Sequence, residues 1–151
     1  MSDAPAAFEY EIYIRATPEE VWNALTDPEQ TRRFWYGALN HSDWTPGARW
    51  TSEGDDGELY LEGEIVEIER PHRLVHTFHV VHEPGAAAEL PSVLTWQLTP
   101  MGDASRLLLT HEQMGEQTVA YTRGGWQLIL SGLKTLLETG TPLRVGAPAT
   151  M

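Results

Sequence analysis

Six histidines and six tryptophans sit in a chain with no cysteine. The missing thiols remove disulfides, thiolate metal sites and cysteine nucleophiles together. Imidazoles can still bind metal or move protons, so their spacing decides what they can do. The turn at Pro100-Met101-Gly102-Asp103 predicts that Trp96 lies beside Leu107, Ser92 beside His111 and Leu98 beside Ser105. The preceding loop then puts Phe78 beside Trp96 and His82 near Ser92. On that register His76 and His111 stand six residues apart, roughly 20 Å at strand rise, too far to share a metal. His82 and His111 fall at one end, about 10 Å apart across two strands, and could address one ligand. No metal site is expected. His111 reads either as a polar group in a pocket or as a hydrogen-bonded structural histidine.

Fingerprints of catalysis are missing. The chain has no G-x-S-x-G, H-E-x-x-H, P-loop or dinucleotide motif. Glu112 follows His111 directly, so on a strand it points to the opposite face and cannot orient the ring. Acid–base chemistry would need Glu64 or Glu58 instead. No catalytic residue is assigned and no cofactor is implied. Glu53 with Asp55-Asp56 lacks the full spacing of a calcium loop and reads as a solvated acidic turn.

The elements that position these side chains follow from periodicity. From Glu116 to Glu138, Trp126, Ile129, Leu130, Leu133, Leu136 and Leu137 recur on one helical face. Gly140 and Pro142 end that helix. Gly125 and Gly132 would let another backbone come close. Phe8 to Arg15 alternates as a half-buried strand. Thr17-Pro18-Glu19-Glu20 and Asp27-Pro28-Glu29-Gln30 both spell a cap, a proline and an acid, which predicts two short helices in tandem. Ala48 to Ser52, Glu58 to Glu69, Leu74 to His82, Val93 to Thr99 and Ser105 to Glu112 read as further strands. A parity switch from Leu61 and Ile65 to Val66 and Ile68 predicts a bend near Gly63 to Val66. Glu83 to Pro91 reads as a mobile loop. The expectation is one domain over 8–140, a disordered tail over 1–7 and a loose tail over 141–151. Its class is α+β, a curved antiparallel sheet of about six strands wrapped around a long C-terminal helix.

Bulk properties narrow the partners. A net charge of −12 repels phosphate backbones and anionic membrane surfaces, so nucleic acid is not an expected partner. No apolar run reaches the ~20 residues of a membrane span, so membrane insertion is not expected either. Residues 1–7 lack a basic stretch followed by an apolar one, which with the absent cysteines points to a cytoplasmic protein. A homodimer remains open.

Strand, two short helices, antiparallel strands and a long helix is the helix-grip order. The residues Ile14-Arg15-Ala16-Thr17-Pro18-Glu19-Glu20-Val21-Trp22 and Ala24-Leu25-Thr26-Asp27-Pro28-Glu29 carry a closer likeness. So do Gly63-Glu64-Ile65-Val66-Glu67-Ile68, Pro71-His72-Arg73-Leu74, Ser105 to Glu112 and Gly125-Trp126-Gln127-Leu128-Ile129-Leu130. Over roughly Phe8 to Glu138 the chain resembles the SRPBCC superfamily of START and Bet v 1-like proteins. Within it, the chain is most similar to the branch named for the activator of the heat-shock-protein-90 ATPase. The resemblance implies three kinds of function. One is binding of an apolar small molecule between helix and sheet. Trp50, Phe78, Trp96, Trp126 and Leu130 would then form walls beside Leu109, with Phe34 or Trp35 near the mouth and His111 as polar anchor. A second is co-chaperone-like docking of a protein partner through an apolar patch around Trp35-Tyr36 or Trp44. The third is a cyclase or hydrolase using a polar group in the cavity. Fold alone does not choose among them.

Overall fold

The computed structural model describes residues 6–145. Twelve elements follow in the expected order: β1 Ala6–Ile14, α1 Pro18–Thr26, α2 Pro28–Phe34, β2 Leu39–Ser42, β3 Arg49–Glu53, β4 Leu59–Glu69, β5 Arg73–Val80, α3 Pro84–Ala87, β6 Ser92–Met101, β7 Ala104–Met114, α4 Glu116–Thr122 and α5 Gly125–Thr139. The strands form one antiparallel sheet in the order β1-β7-β6-β5-β4-β3-β2. Seven strands replace the expected six because Leu39–Ser42, read as turn, pairs with β3. Ala6 and Ala7 belong to β1 rather than to a tail. Residues 1–5 and 146–151 of the two expected tails lie outside the described residues.

The tandem helix starts form as written. Thr17 accepts from the Glu20 N–H while the Glu20 carboxylate accepts from the Thr17 N–H, a reciprocal capping box. Asp27 caps α2 through the Glu29 N–H at 3.0 Å. The bend in β4 also forms: its register to β5 slips between Ile65 and Glu67, leaving Val66 turned out and 54% exposed. Gly63 is required there. A Cβ at that position would lie 2.0 Å from the Thr77 carbonyl oxygen.

Two expectations change. The long helix is broken into α4 and α5 at Arg123-Gly124, where Gly124 takes φ 75°. Adjacent glycines cannot hold a helix across that point against a left-handed turn. The Glu83–Pro91 loop contains the helical turn α3, capped by Glu83 and anchored by buried Ala86. Glu89 then reaches across to α4, accepting from the Gln117 and Thr118 N–H groups at 2.8 Å each.

The core lies between the sheet and α1, α2 and α5. α5 buries Trp126, Ile129, Leu130, Leu133 and Leu136, each worth about 1.5–3 kcal/mol of burial for the larger aliphatic side chains. Gly132 packs closely on Phe34 of α2, where an added Cβ would lie 3.3 Å from the Phe34 Cβ. Among the described residues no helix is long and apolar enough to cross a membrane.

Candidate functional site

The space under α5 divides into a packed centre and an open end. Trp35 fills the centre, with ring centroids 5.5 Å from Trp126, 6.0 Å from Trp96 and 6.2 Å from Trp50. Two histidines stitch this cluster to the sheet. The Trp96 indole N–H donates to His76 Nε2 at 3.1 Å, and His76 Nδ1–H donates to the Thr77 carbonyl at 2.9 Å. The Trp126 indole N–H donates to His111 Nδ1 at 3.1 Å. His111 Nε2–H donates to Ser92 Oγ at 2.7 Å, and that hydroxyl donates to the Phe78 carbonyl at 3.0 Å. Every side-chain polar atom of these two hydrogen-bond relays thus has a partner, and each tautomer is set by its neighbours. Burial pushes His76 down to about 4. It pushes His111 down to about 3, with His76 adding a smaller push. Both rings are neutral structural acceptors.

The observed register differs from the expected one by two residues between β6 and β7 and by four between β5 and β6. Trp96 pairs with Leu109, Leu98 with Leu107 and Leu94 with His111, because the two-residue turn sits one residue further along, at Gly102-Asp103, and Met101 pairs with Ala104. Phe78 pairs with Ser92, and His76 with Leu94. His76 and His111 therefore share one row, two strands apart, rather than lying six residues from each other. Distance does not keep them from one metal. Their hydrogen bonds do, since all four ring nitrogens are engaged. His82 lies away from His111 and pairs through Nδ1 with Glu58 at 2.6 Å.

The open end is a cavity of about 400 Å³. Its apolar lining includes Trp35, Leu61, Phe78, Trp126 and Ile129. Tyr36, Tyr60, Tyr121, His82 and Arg123 supply polar groups toward its rim. Ser52 stands at its buried wall, 1% exposed, with an Oγ that has no hydrogen-bond partner among the described residues. An unmet buried hydroxyl is costly, about 1–3 kcal/mol, unless something else meets it.

Of the eight expected cavity residues, Trp35, Phe78 and Trp126 line this space. Trp50 and Trp96 border a separate void of only about 10 Å³ beside Asn40, whose Oδ1 is also unpartnered. Leu109, His111 and Leu130 are fully packed and line neither. The polar position expected of His111 is therefore held by Ser52. Ser52 shares strand parity with Trp50, and that signal could have found it. Tyr60 escaped because a bulge between Ser52 and Glu53 turns it toward the cavity. Arg123 escaped because the helix break was unforeseen. Of the expected docking patch, Trp35 is buried, Trp44 half-buried and Tyr36 65% exposed.

Solved structures share the fold. A Mesorhizobium loti protein, MLL2253, is 24% identical, covered over 88% of this chain and 97% of its own, with a TM-score of 0.72. An Hsp90 activator from Plasmodium falciparum is 23% identical over 90% of this chain and 97% of its own, at TM-score 0.72. The Aha1 dimer from Colwellia psychrerythraea is 18% identical over 89% and 98%, at TM-score 0.69. No curated protein matches the chain. The family model described as Activator of Hsp90 ATPase homolog 1-like protein matches residues 15–138. With the two tandem capped helices, the bent β4 and the helix laid on the sheet all inside that span, the chain belongs to the family of Activator of Hsp90 ATPase homolog 1-like proteins.

Proposed function

We propose that this protein binds a small, largely apolar molecule in the cavity at the open end of α5. The observation that carries the reading is the 400 Å³ space with the unpartnered Ser52 hydroxyl in its buried wall. That volume falls within the ~300–1,000 Å³ usual for small-molecule sites, and so does a lining of aromatic groups with few polar ones. Calorimetric titration with naphthol tests it. Saturable binding is expected, and Ala38→Phe, a buried lining residue whose enlargement fills the cavity from its wall, abolishes it while the variant keeps its fold by circular dichroism. Binding that survives Ala38→Phe places the naphthol elsewhere and removes the support.

A second reading has its own observation. A groove of about 500 Å³ runs between α2 and α5, lined by Arg33, Phe34, Tyr36, Leu128, Leu143 and Val145 among others. Tyr36, Leu128, Leu143 and Val145 are 65%, 41%, 38% and 59% exposed. Such a stripe suits a protein partner or a second copy of this chain. Leu128→Glu separates the readings: it disrupts an assembly seen by native mass spectrometry and leaves naphthol binding intact.

A further inference from the structure

The cavity rim leaves one positive charge and one helix end unused. Among the described residues, Arg32, Arg49, Arg70, Arg73, Arg106 and Lys134 all hold carboxylates. Arg15, Arg33, Arg123 and Arg144 enter none of these pairs, and of the four only Arg123 lines the cavity. Arg123 stands immediately before Gly124, and α5 begins at Gly125 with no side-chain cap and no acidic residue in its first turn. A fifteen-residue helix puts about half a positive charge at such an end. Gly125 and Trp126, its first residues, also line the cavity. Three acids near the rim are engaged, Glu58 by His82, Glu83 by the α3 N–H groups and Glu89 by α4, while Asp55 and Asp56 lie by Tyr60, a lining residue. At the buried wall the Ser52 hydroxyl, 99% hidden, waits for a partner.

We infer that the cavity takes a small aromatic carboxylic acid. Its carboxylate sits at the rim between Arg123 and the start of α5. The ring lies against Trp35, Phe78 and Trp126, and a hydroxyl or carbonyl at its far end meets Ser52. A planar guanidinium matches a carboxylate in two hydrogen bonds. One arginine beside several glutamates suits a single negative charge better than two. The inference rests on the reading of this space as a ligand site.

Three naphthalene probes test it by calorimetry on the full chain: naphthoate, its neutral carboxamide and hydroxynaphthoate. Naphthoate is expected to bind about fivefold tighter than the carboxamide, a difference that shrinks as salt rises. Hydroxynaphthoate binds tighter still. Arg123→Gln removes the preference for the acid and leaves the carboxamide unchanged, while Arg123→Lys keeps part of it. Ser52→Ala removes only the gain from the hydroxyl. Equal binding of acid and carboxamide by the native chain at low salt overturns the carboxylate assignment and leaves the cavity reading standing. So does a preference for the acid that persists in Arg123→Gln. Failure of all three probes to bind at millimolar concentration overturns the cavity reading as well.

Discussion

Acid should unfold this protein through two histidines before its carboxylates matter. His76 is 1% exposed and His111 is fully buried, and each uses a ring nitrogen to accept an indole N–H. Adding a proton buries a charge and turns that acceptor into a donor facing another donor. Burial therefore depresses His76 from 6.5 to about 4, and His111 from 6.5 to about 3. Between those values and 6.5 the unfolded chain binds protons that the folded chain refuses. Their contribution is thus complete above pH 6.5 and is lost as pH falls toward 4. Each group contributes a slope approaching 1.4 kcal/mol per pH unit below 6.5. From pH 7 to pH 5 the pair loses about 4 kcal/mol, a large part of the 5–15 kcal/mol typical of a domain. Glu138, held down first by the Lys134 ammonium and then by the Arg15 N–H, titrates below 4.5 and stays out of this window. Urea unfolding followed by tryptophan fluorescence at pH 7, 6 and 5 measures the slope. His111→Gln, which can still accept from Trp126 and donate to Ser92, should roughly halve it. A native-chain loss under about 1 kcal/mol, or a slope unchanged in His111→Gln, refutes the reasoning.

Other perturbations are simpler. Gly63→Ala places a methyl against the Thr77 carbonyl and should cost about 3 kcal/mol or more, read as a lowered urea midpoint. Ser92→Ala leaves the His111 Nε2–H without its acceptor and should cost about 1–3 kcal/mol, with the indole proton of Trp126 shifted in the NMR spectrum. Glu89→Ala removes the carboxylate that joins the α3 region to α4, so amide exchange should speed up over Glu116–Thr122 while α5 stays protected. Thr17→Ala breaks the capping box and should cost about 1 kcal/mol of thermal stability.

The elements were legible where local chemistry fixes them. Thr17-Pro18 and Asp27-Pro28 cap and start helices from neighbours in the chain alone, and both start there. The parity switch at Ile65-Val66 exposed the bulge because side-chain alternation is a local property. β2 stayed hidden because four residues among turn signals carry too little pattern, and pairing with β3 supplies what they lack. The register between β6 and β7 slipped by two because composition does not say whether the two-residue turn sits at Met101-Gly102 or at Gly102-Asp103.

The candidate site was less legible. Trp35, Phe78 and Trp126 were identifiable as rings facing inward, yet five companions are packed away from the main cavity. Amphipathic spacing tells which side chains leave the water. It does not tell which of them touch each other and which leave a gap, because that depends on how four indoles interlock at 5.5 to 6.2 Å between three helices and a sheet. By itself the sequence determined a helix laid on an antiparallel sheet with an aromatic interior, since periodicity and capping act over a few residues. Only the tertiary structure decided that the interior closes around His76 and His111. It also decided that a cavity is left beside Ser52, and that the broken start of α5 brings Arg123 to the rim. Those arrangements come from packing between elements distant in sequence, where volume and hydrogen-bond satisfaction act together.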